Sequence, residues 1–336
     1  MEIKSHLDIQ GKKVLIVGNR SYRNLGDELI LLGTIKLLQQ QKKEVLVAAY
    51  DPKWLQQFLS QFIDTSPITF LTEIPKGRRS LWKYITERKF RERKIYRKVD
   101  AIIIGGGEII TEENRNSYRY RLISILPCLK KPRYLMGGIQ LPRKFSNRLF
   151  FKSILNRTKH IFARDYETVH ELKTYGFHNV DFFMDTSFFA YDRKGSRNSS
   201  HDTRNYIIVN LNYNAQKFLP EILQDIQKFY HQGYEIYFVP VAKGENPAYN
   251  DISYAKKIQK QLQLSDQRFK ILDREKDFDY FIQILSQAHM VISSRLHLFL
   301  IASFLGVPTK VYPYQKKILK MQKTILSPFI KGEVSA

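Results

Sequence analysis

Short apolar runs, each ending in glycine or a tight polar turn and each followed by an amphipathic stretch, recur along the whole chain. This alternation constrains the fold more than any single motif. A short strand that is apolar throughout is buried on both faces, and the helix that follows must cross over the sheet, so the repeating unit is a parallel strand–helix–strand. Val14 to Val17 is the first expected strand, Asp27 to Gln41 its helix, and Glu44 to Ala49 the next strand. Ala101 to Ile104 runs into Gly105-Gly106-Gly107, and Arg133 to Met136 into Gly137-Gly138. His160 to Ala163 precedes a helix expected from about Tyr166 to Tyr175. The pattern then restarts. Strands are expected at 206–211, 234–239, 290–293 and 309–312, with helices at 218–231, at 249–262 and from Leu296 onward.

The expected class is therefore α/β, with two Rossmann-like domains facing across a cleft. A chain of 336 residues is long for one core and natural for two. Residues 192–204 are polar, with Gly195, Ser196, Asn198, Ser199 and Ser200, and read as a linker. The domains expected are 1–191 and 205–336.

A hydrophobic content of 43% fits a folded protein. The single cysteine, Cys128, excludes an intrachain disulfide and fits a reducing compartment. The first residues are polar and carry no signal-peptide core, and no run is apolar enough to span a bilayer, so a cytoplasmic protein is expected. The net charge of +23 predicts attraction to polyanions. Much of it is local: residues 76–98 hold eleven Lys/Arg against two acids, with Trp82, Tyr84, Ile85, Phe90, Ile95 and Tyr96 interleaved. That segment reads either as a helix resting on an anionic membrane face or as a solvated helix packing one apolar side on the sheet. No nucleic-acid-binding module is recognisable, and nucleic acid is not an expected partner.

The chemistry-bearing residues fall at strand ends, where open α/β sheets bind ligands and helix N-termini favour anions. Ser293-Ser294-Arg295-Leu296-His297 joins two apolar runs. A fixed cation two residues from a group that titrates near neutrality suits acid–base work on an anionic substrate. Arg164, in the turn before a helix that Asp165 should cap, has no evident local reason to be there and is a second candidate anion ligand. Asn24 and Asp27, after the first strand, either cap the helix or hold a hydroxylated ligand. Gly106 and its neighbours allow close approach of a ligand or of the other domain, and Glu108 is either a base on a sugar hydroxyl or a structural carboxylate. Asp185-Thr186-Ser187 lines the cleft or makes a turn. No Cys/His pair has metal-ligand spacing, so no metal is expected, and no Gly-x-Ser-x-Gly elbow points to serine hydrolysis.

In this order the elements resemble the polysaccharide pyruvyltransferase family. The likeness rests on Asn24-Leu25-Gly26-Asp27-Glu28, Gly105 to Gly107, Arg164-Asp165, Asp185-Thr186-Ser187-Phe188, Ser294 to His297 and Gly306-Val307-Pro308, and covers nearly the whole chain. It implies a two-domain fold of the glycosyltransferase B type. It also implies transfer of a pyruvyl group from phosphoenolpyruvate to a sugar of a surface polysaccharide or its lipid-linked precursor. Donor binding would fall on Arg164, Arg295, Leu296 and His297. Phosphoenolpyruvate is then a co-substrate, and no cofactor is expected. The chain departs from the family pattern at 240–246, where relatives often carry His or Gln and then Asp. Here Lys243, a candidate acceptor contact, and Asn246 stand instead, with Asp251 further on. Arg20 and Arg23 enrich the first loop as candidates for a phosphate.

In the expected mechanism Arg164 and Arg295 clamp the donor and His297 moves the proton. Two other readings are open. One is a nucleotide-sugar glycosyltransferase of the same fold, although no acidic residue is clearly placed to hold a ribose. The other is a non-catalytic polyanion- or membrane-binding protein driven by the basic segment.

Overall fold

A computed structural model describes residues 7–18, 24–75, 78–110, 128, 130–142, 144–190, 204–243, 250–272 and 278–325. The chain groups into two compact units. One comprises Met1–Ser21 with Asp27–Ala190, the other Tyr22–Gly26 with Tyr191–Ala336. Among the described residues no helix is long and apolar enough to cross a membrane.

The first unit is built on strands β1 (Lys13–Val17), β2 (Glu44–Ala49), β3 (Thr69–Thr72), β4 (Ala101–Ile104), β5 (Glu108–Ile110), β6 (Arg133–Ile139), β7 (His160–Ala163) and β8 (Val180–Phe182). They form a parallel sheet in the order β3-β2-β1-β4-β6-β7-β8, with β5 paired to the far end of β6. The central strands β1 and β4 are buried almost throughout, which is why they read as unbroken apolar runs. Their helices are α1 (Leu25–Gln40), α2 (Pro52–Leu59), α3 (Arg78–Thr86), α4 (Phe145–Leu155) and α5 (Tyr166–Thr174), with a 3₁₀ stretch over Lys89–Lys98. Strand order reverses at β1, and right-handed crossovers place connections laid in opposite directions on opposite faces of the sheet. One face is accordingly covered by the 3₁₀ stretch, α4 and α5. Tyr96, Phe151, Leu155 and Leu172 pack there in one cluster with Leu15, Ile102, Leu135 and Ile161.

Local chemistry sets the helix starts. Helix α1 begins at Leu25, two residues before the expected Asp27, because Asn24 Oδ1 accepts the Gly26 N–H (3.2 Å) and caps the first turn. Asp51 caps α2, with Pro52 preorganised behind it. Asp165 caps α5, its Oδ1 accepting from Thr168 N at 2.7 Å.

The second unit repeats the plan with strands β9 (Arg204–Asn210), β10 (Glu235–Phe238), β11 (Phe269–Ile271), β12 (Ala288–Ser293) and β13 (Thr309–Val311). The order is β11-β10-β9-β12-β13, all parallel. The helices are α6 (Leu219–His231), α7 (Asp251–Gln261), α8 (Phe278–Ser286), α9 (Leu296–Phe304) and α10 (Lys316–Ile325). Helix α9 is apolar nearly all round and buries Leu296, Leu298, Phe299, Leu300, Ile301 and Ala302. Strand order reverses between β9 and β12, so the carboxyl ends of these two strands flank the switch point where open sheets bind ligands.

Strands β3, β5 and β11, of three or four residues each, are not among the strands expected from the sequence. The expected linker lies outside the described residues up to 203, and Arg204 already opens β9. Arg20, Arg23 and Asn246 also lie outside them.

Candidate active site

Strand β12 delivers Ser293, Ser294 and Arg295 to the switch point of the second unit. The turn is held by hydroxyls. Ser293 Oγ accepts the Arg295 N–H (3.0 Å), and Ser294 Oγ accepts the Asn212 N–H (2.7 Å). Both serines are fully buried. Arg295 is the N-cap residue of α9, in extended backbone, and its side chain makes no capping bond. The guanidinium turns instead to Asp251, with Nη2 donating to Oδ1 at 2.6 Å. Arg295 Nε is buried and has no hydrogen-bond partner among the described residues.

Asp251, noted in the sequence only as an acid beyond the departing segment, is the arginine's counter-ion. It is 2% exposed and opens α7, where Asn250 Oδ1 caps by accepting from Ile252 N (3.0 Å). Its Oδ2 accepts from Asn210 Nδ2 (3.0 Å), Val241 N (3.0 Å) and Ala242 N (3.1 Å). With Oδ2 saturated by neutral donors, Oδ1 is left to the arginine, and a charged group is fixed with little rotameric freedom. Asn210, the last residue of β9, adds a bond to Val239 O (2.8 Å), while its Oδ1 is buried and without a partner among the described residues. Nothing local in the sequence shows that an acid at this position is the counter-ion of an arginine 44 positions away.

His297 sits one residue into α9 and is partly buried. Its ring lies against the backbone of Gly26: a Cβ placed there would stand 1.9 Å from His297 Nδ1 and 2.5 Å from Cε1. The Gly26 segment is itself tied down, with Leu25 N donating to Val241 O (3.1 Å) and Asn24 bridging to Ala242. The first and last motifs of the chain therefore meet in one place, and Gly26 is glycine because the imidazole occupies the space of a side chain. Leu296 is buried and packs as core. Lys243 bridges to Asn250 in the loop before α7.

The first unit gathers the remaining candidates at the ends of β4, β6 and β7. Arg164, for which the sequence offers no local reason, has a structural one. It is 3% exposed, and its Nη1 donates to Asp185 Oδ2 at 3.0 Å. A guanidinium this deep must be paired, and Asp185 supplies the charge while its Oδ1 accepts from Ser187 N (3.1 Å), capping the turn at Thr186–Phe189. Arg164, Asp185, Gly106, Gly137 and Thr186 line a small cavity with room for about one water molecule.

The glycines have a packing reason. Gly106 and Gly137 take φ of +118° and +132°. A Cβ on Gly137 would fall 2.2 Å from the Gly106 carbonyl, and one on Gly138 would fall 2.8 Å from that of Gly107. The chain leaving β4 runs alongside β6 into its β5 pairing, with Gly138 N donating to Gly107 O at 2.8 Å, so β6 has no room for a side chain at Gly137 and Gly138. Asp27 stands beside Gly107, with Oδ1 3.2 Å from the position of an added Cβ. Glu108 accepts from Gln140 Nε2 at 3.2 Å.

Two parallel, doubly wound sheets with polar groups at their switch points define an α/β fold of the glycosyltransferase B type. Solved structures share it. The chain superposes on UDP-N-acetylglucosamine 2-epimerase from Rickettsia bellii with a TM-score of 0.56, 13% identity, and coverage of 94% of this chain and 88% of that one. The UDP-GlcNAc 2-epimerase of Methanocaldococcus jannaschii, solved with UDP-GlcNAc and UDP, gives 0.55, 13%, 94% and 93%. A glycosyltransferase from Rickettsia africae gives 0.54, 12%, 97% and 93%. The sequence is more specific than the fold: the polysaccharide pyruvyl transferase family model matches residues 24–315, and the chain belongs to that family of transferases. No curated protein matches the chain.

Proposed function

We propose that this transferase moves the pyruvyl group of phosphoenolpyruvate onto two hydroxyls of a saccharide, forming a pyruvate ketal and releasing phosphate. The observation that carries this reading is the pair formed by Arg295, fixed by Asp251, and His297, seated against Gly26, at the start of α9. A donor with a carboxylate and a phosphate suits a site where a guanidinium and the first-turn N–H groups of a helix converge. Arg164 is a second donor ligand in this proposal, acting through N–H groups other than the one given to Asp185.

In the reaction, protonated His297 delivers its proton to the methylene carbon while the first sugar hydroxyl adds to the adjacent carbon. The proton of that hydroxyl restores the imidazolium. The second hydroxyl then displaces phosphate, and its proton leaves with the phosphate. General acid–base catalysis of this kind contributes roughly 10²–10⁴-fold. Asn24, Asp27, Glu108 and Lys243 are proposed contacts to the sugar acceptor.

Thermal stabilisation tests the donor, because a ligand that binds only the native state raises the melting temperature. Phosphoenolpyruvate is expected to stabilise the wild type and to lose that effect in Arg295→Lys, which keeps charge without the fork. Stabilisation by nucleotide sugars alone would replace this reading with a glycosyltransferase.

A further inference from the structure

One face of the first unit carries two cationic elements whose apolar residues point outward. In α3 and the 3₁₀ stretch, Tyr84 and Tyr96 turn into the core, 5% and 1% exposed, whereas Trp82, Ile85 and Phe90 stand 70%, 48% and 48% exposed. Trp82 and Ile85 are three apart and share a helix face. Most of the lysines and arginines from Arg79 to Lys98 are exposed around them. The two acids of the segment are engaged: Glu87 pairs with Lys83 (3.7 Å), and Glu92 pairs with Lys89 (3.3 Å) and accepts from Thr72 N (2.9 Å).

Helix α4 repeats the arrangement. Phe145 and Leu149, four apart, are 74% and 55% exposed. They are flanked by exposed Lys144, Arg148 and Lys152, and the helix has no acidic residue. The 3₁₀ stretch and α4 cover the same sheet face, since Tyr96 of the one and Phe151 and Leu155 of the other fill a single cluster beneath it, and α3 packs on the 3₁₀ stretch. Large exposed apolar groups are the residues that a cationic surface meant only for water would omit.

We propose that this face docks on an anionic lipid surface, with Trp82, Ile85, Phe90, Phe145 and Leu149 entering the headgroup region and the surrounding cations meeting lipid phosphates. A ring of cations alone would attract any polyanion. Apolar side chains set among those cations at helical spacing match the layered chemistry of a bilayer interface. The inference does not depend on the pyruvyl-transfer reading.

The test uses the full chain with Trp54→Phe, which leaves Trp82 as the sole indole. Vesicles of phosphatidylglycerol and phosphatidylcholine are compared with pure phosphatidylcholine by sedimentation and by Trp82 emission. The expected result is binding only to the anionic vesicles, weakening as salt rises, with a blue shift of Trp82. Phe90→Ser with Leu149→Ser, both at exposed positions, is expected to weaken binding roughly tenfold at an unchanged melting temperature. Three results would overturn the proposal. One is no vesicle binding, and another is vesicle binding with unmoved Trp82 emission and equal affinity for heparin. The third is a concentration-dependent blue shift without lipid, which would make the face a contact between copies of the chain.

Discussion

Gly26 and His297, at opposite ends of the sequence, are in van der Waals contact, and a Cβ at Gly26 would lie 1.9 Å from the imidazole Nδ1. Gly26 lies inside α1, where alanine is favoured over glycine by about 1 kcal/mol. Gly26→Ala is therefore expected to displace the ring while leaving the helix intact. Turnover should fall toward that of His297→Ala, on the order of 10²-fold, with donor KM little changed. Phosphate release from phosphoenolpyruvate, read beside the circular dichroism of the variant, checks this. Wild-type turnover in Gly26→Ala would mean the ring position is unimportant.

Asp251 holds Arg295 and also satisfies two backbone N–H groups and an amide. Asp251→Ala strands Arg295 and the two backbone N–H groups and leaves the Asn210 amide only its bond to Val239 O, at a cost of about 3–5 kcal/mol. Asp251→Asn keeps the volume and one acceptor oxygen, so it should fold but release the guanidinium. The expected signature is a weaker donor affinity with a smaller shift of the urea midpoint than in Asp251→Ala.

The Arg164–Asp185 pair is buried on both sides, with side-chain exposures of 3% and 2%. Arg164→Ala should destabilise by about 3–5 kcal/mol by stranding the carboxylate, and Arg164→Met with Asp185→Leu should recover most of that. Chemical denaturation of the two single variants and the double variant gives the coupling energy. Additive losses would show that the pair is not the reason for Arg164's burial.

Asp100 joins β1 to β4 at their amino ends. Its carboxylate accepts from Lys13 N and Lys12 N, both at 2.9 Å, and these bonds hold its pKa below the ordinary 3.8. A carboxylate with a depressed folded pKa stabilises above the unfolded value and loses that contribution as pH falls through the folded one. Asp100→Ala should therefore be less stable than wild type at neutral pH, with the gap closing below about pH 4. Urea midpoints measured between pH 7 and pH 3 test the sign.

Cys128 is 2% exposed, and burial pushes its thiol up to about 11. The thiolate is the reactive form, so Ellman's reagent at pH 8 should modify the unfolded chain at once and the native protein only slowly.

What the sequence alone determined is the set of properties written in short windows. Unbroken apolar runs marked the buried parallel strands, because a strand covered on both faces has no polar side to alternate with. Asp165 marked a helix start through its cap, and Arg295 with His297 marked a strand end with chemistry. The tertiary structure decided the partners. Asp251 reaches Arg295 across 44 positions, Asp185 reaches Arg164 across 21, and Gly26 receives His297 from the far end of the chain. Strand order decides which carboxyl ends become neighbours, and nothing in the local period of a parallel strand records it. The same physics decided what approaches the glycines of β6: at Gly137 and Gly138 it is the backbone leaving β4. Bare backbone looks alike in sequence whether a ligand, another domain or a neighbouring strand comes close, and here the neighbour is the strand paired to β6.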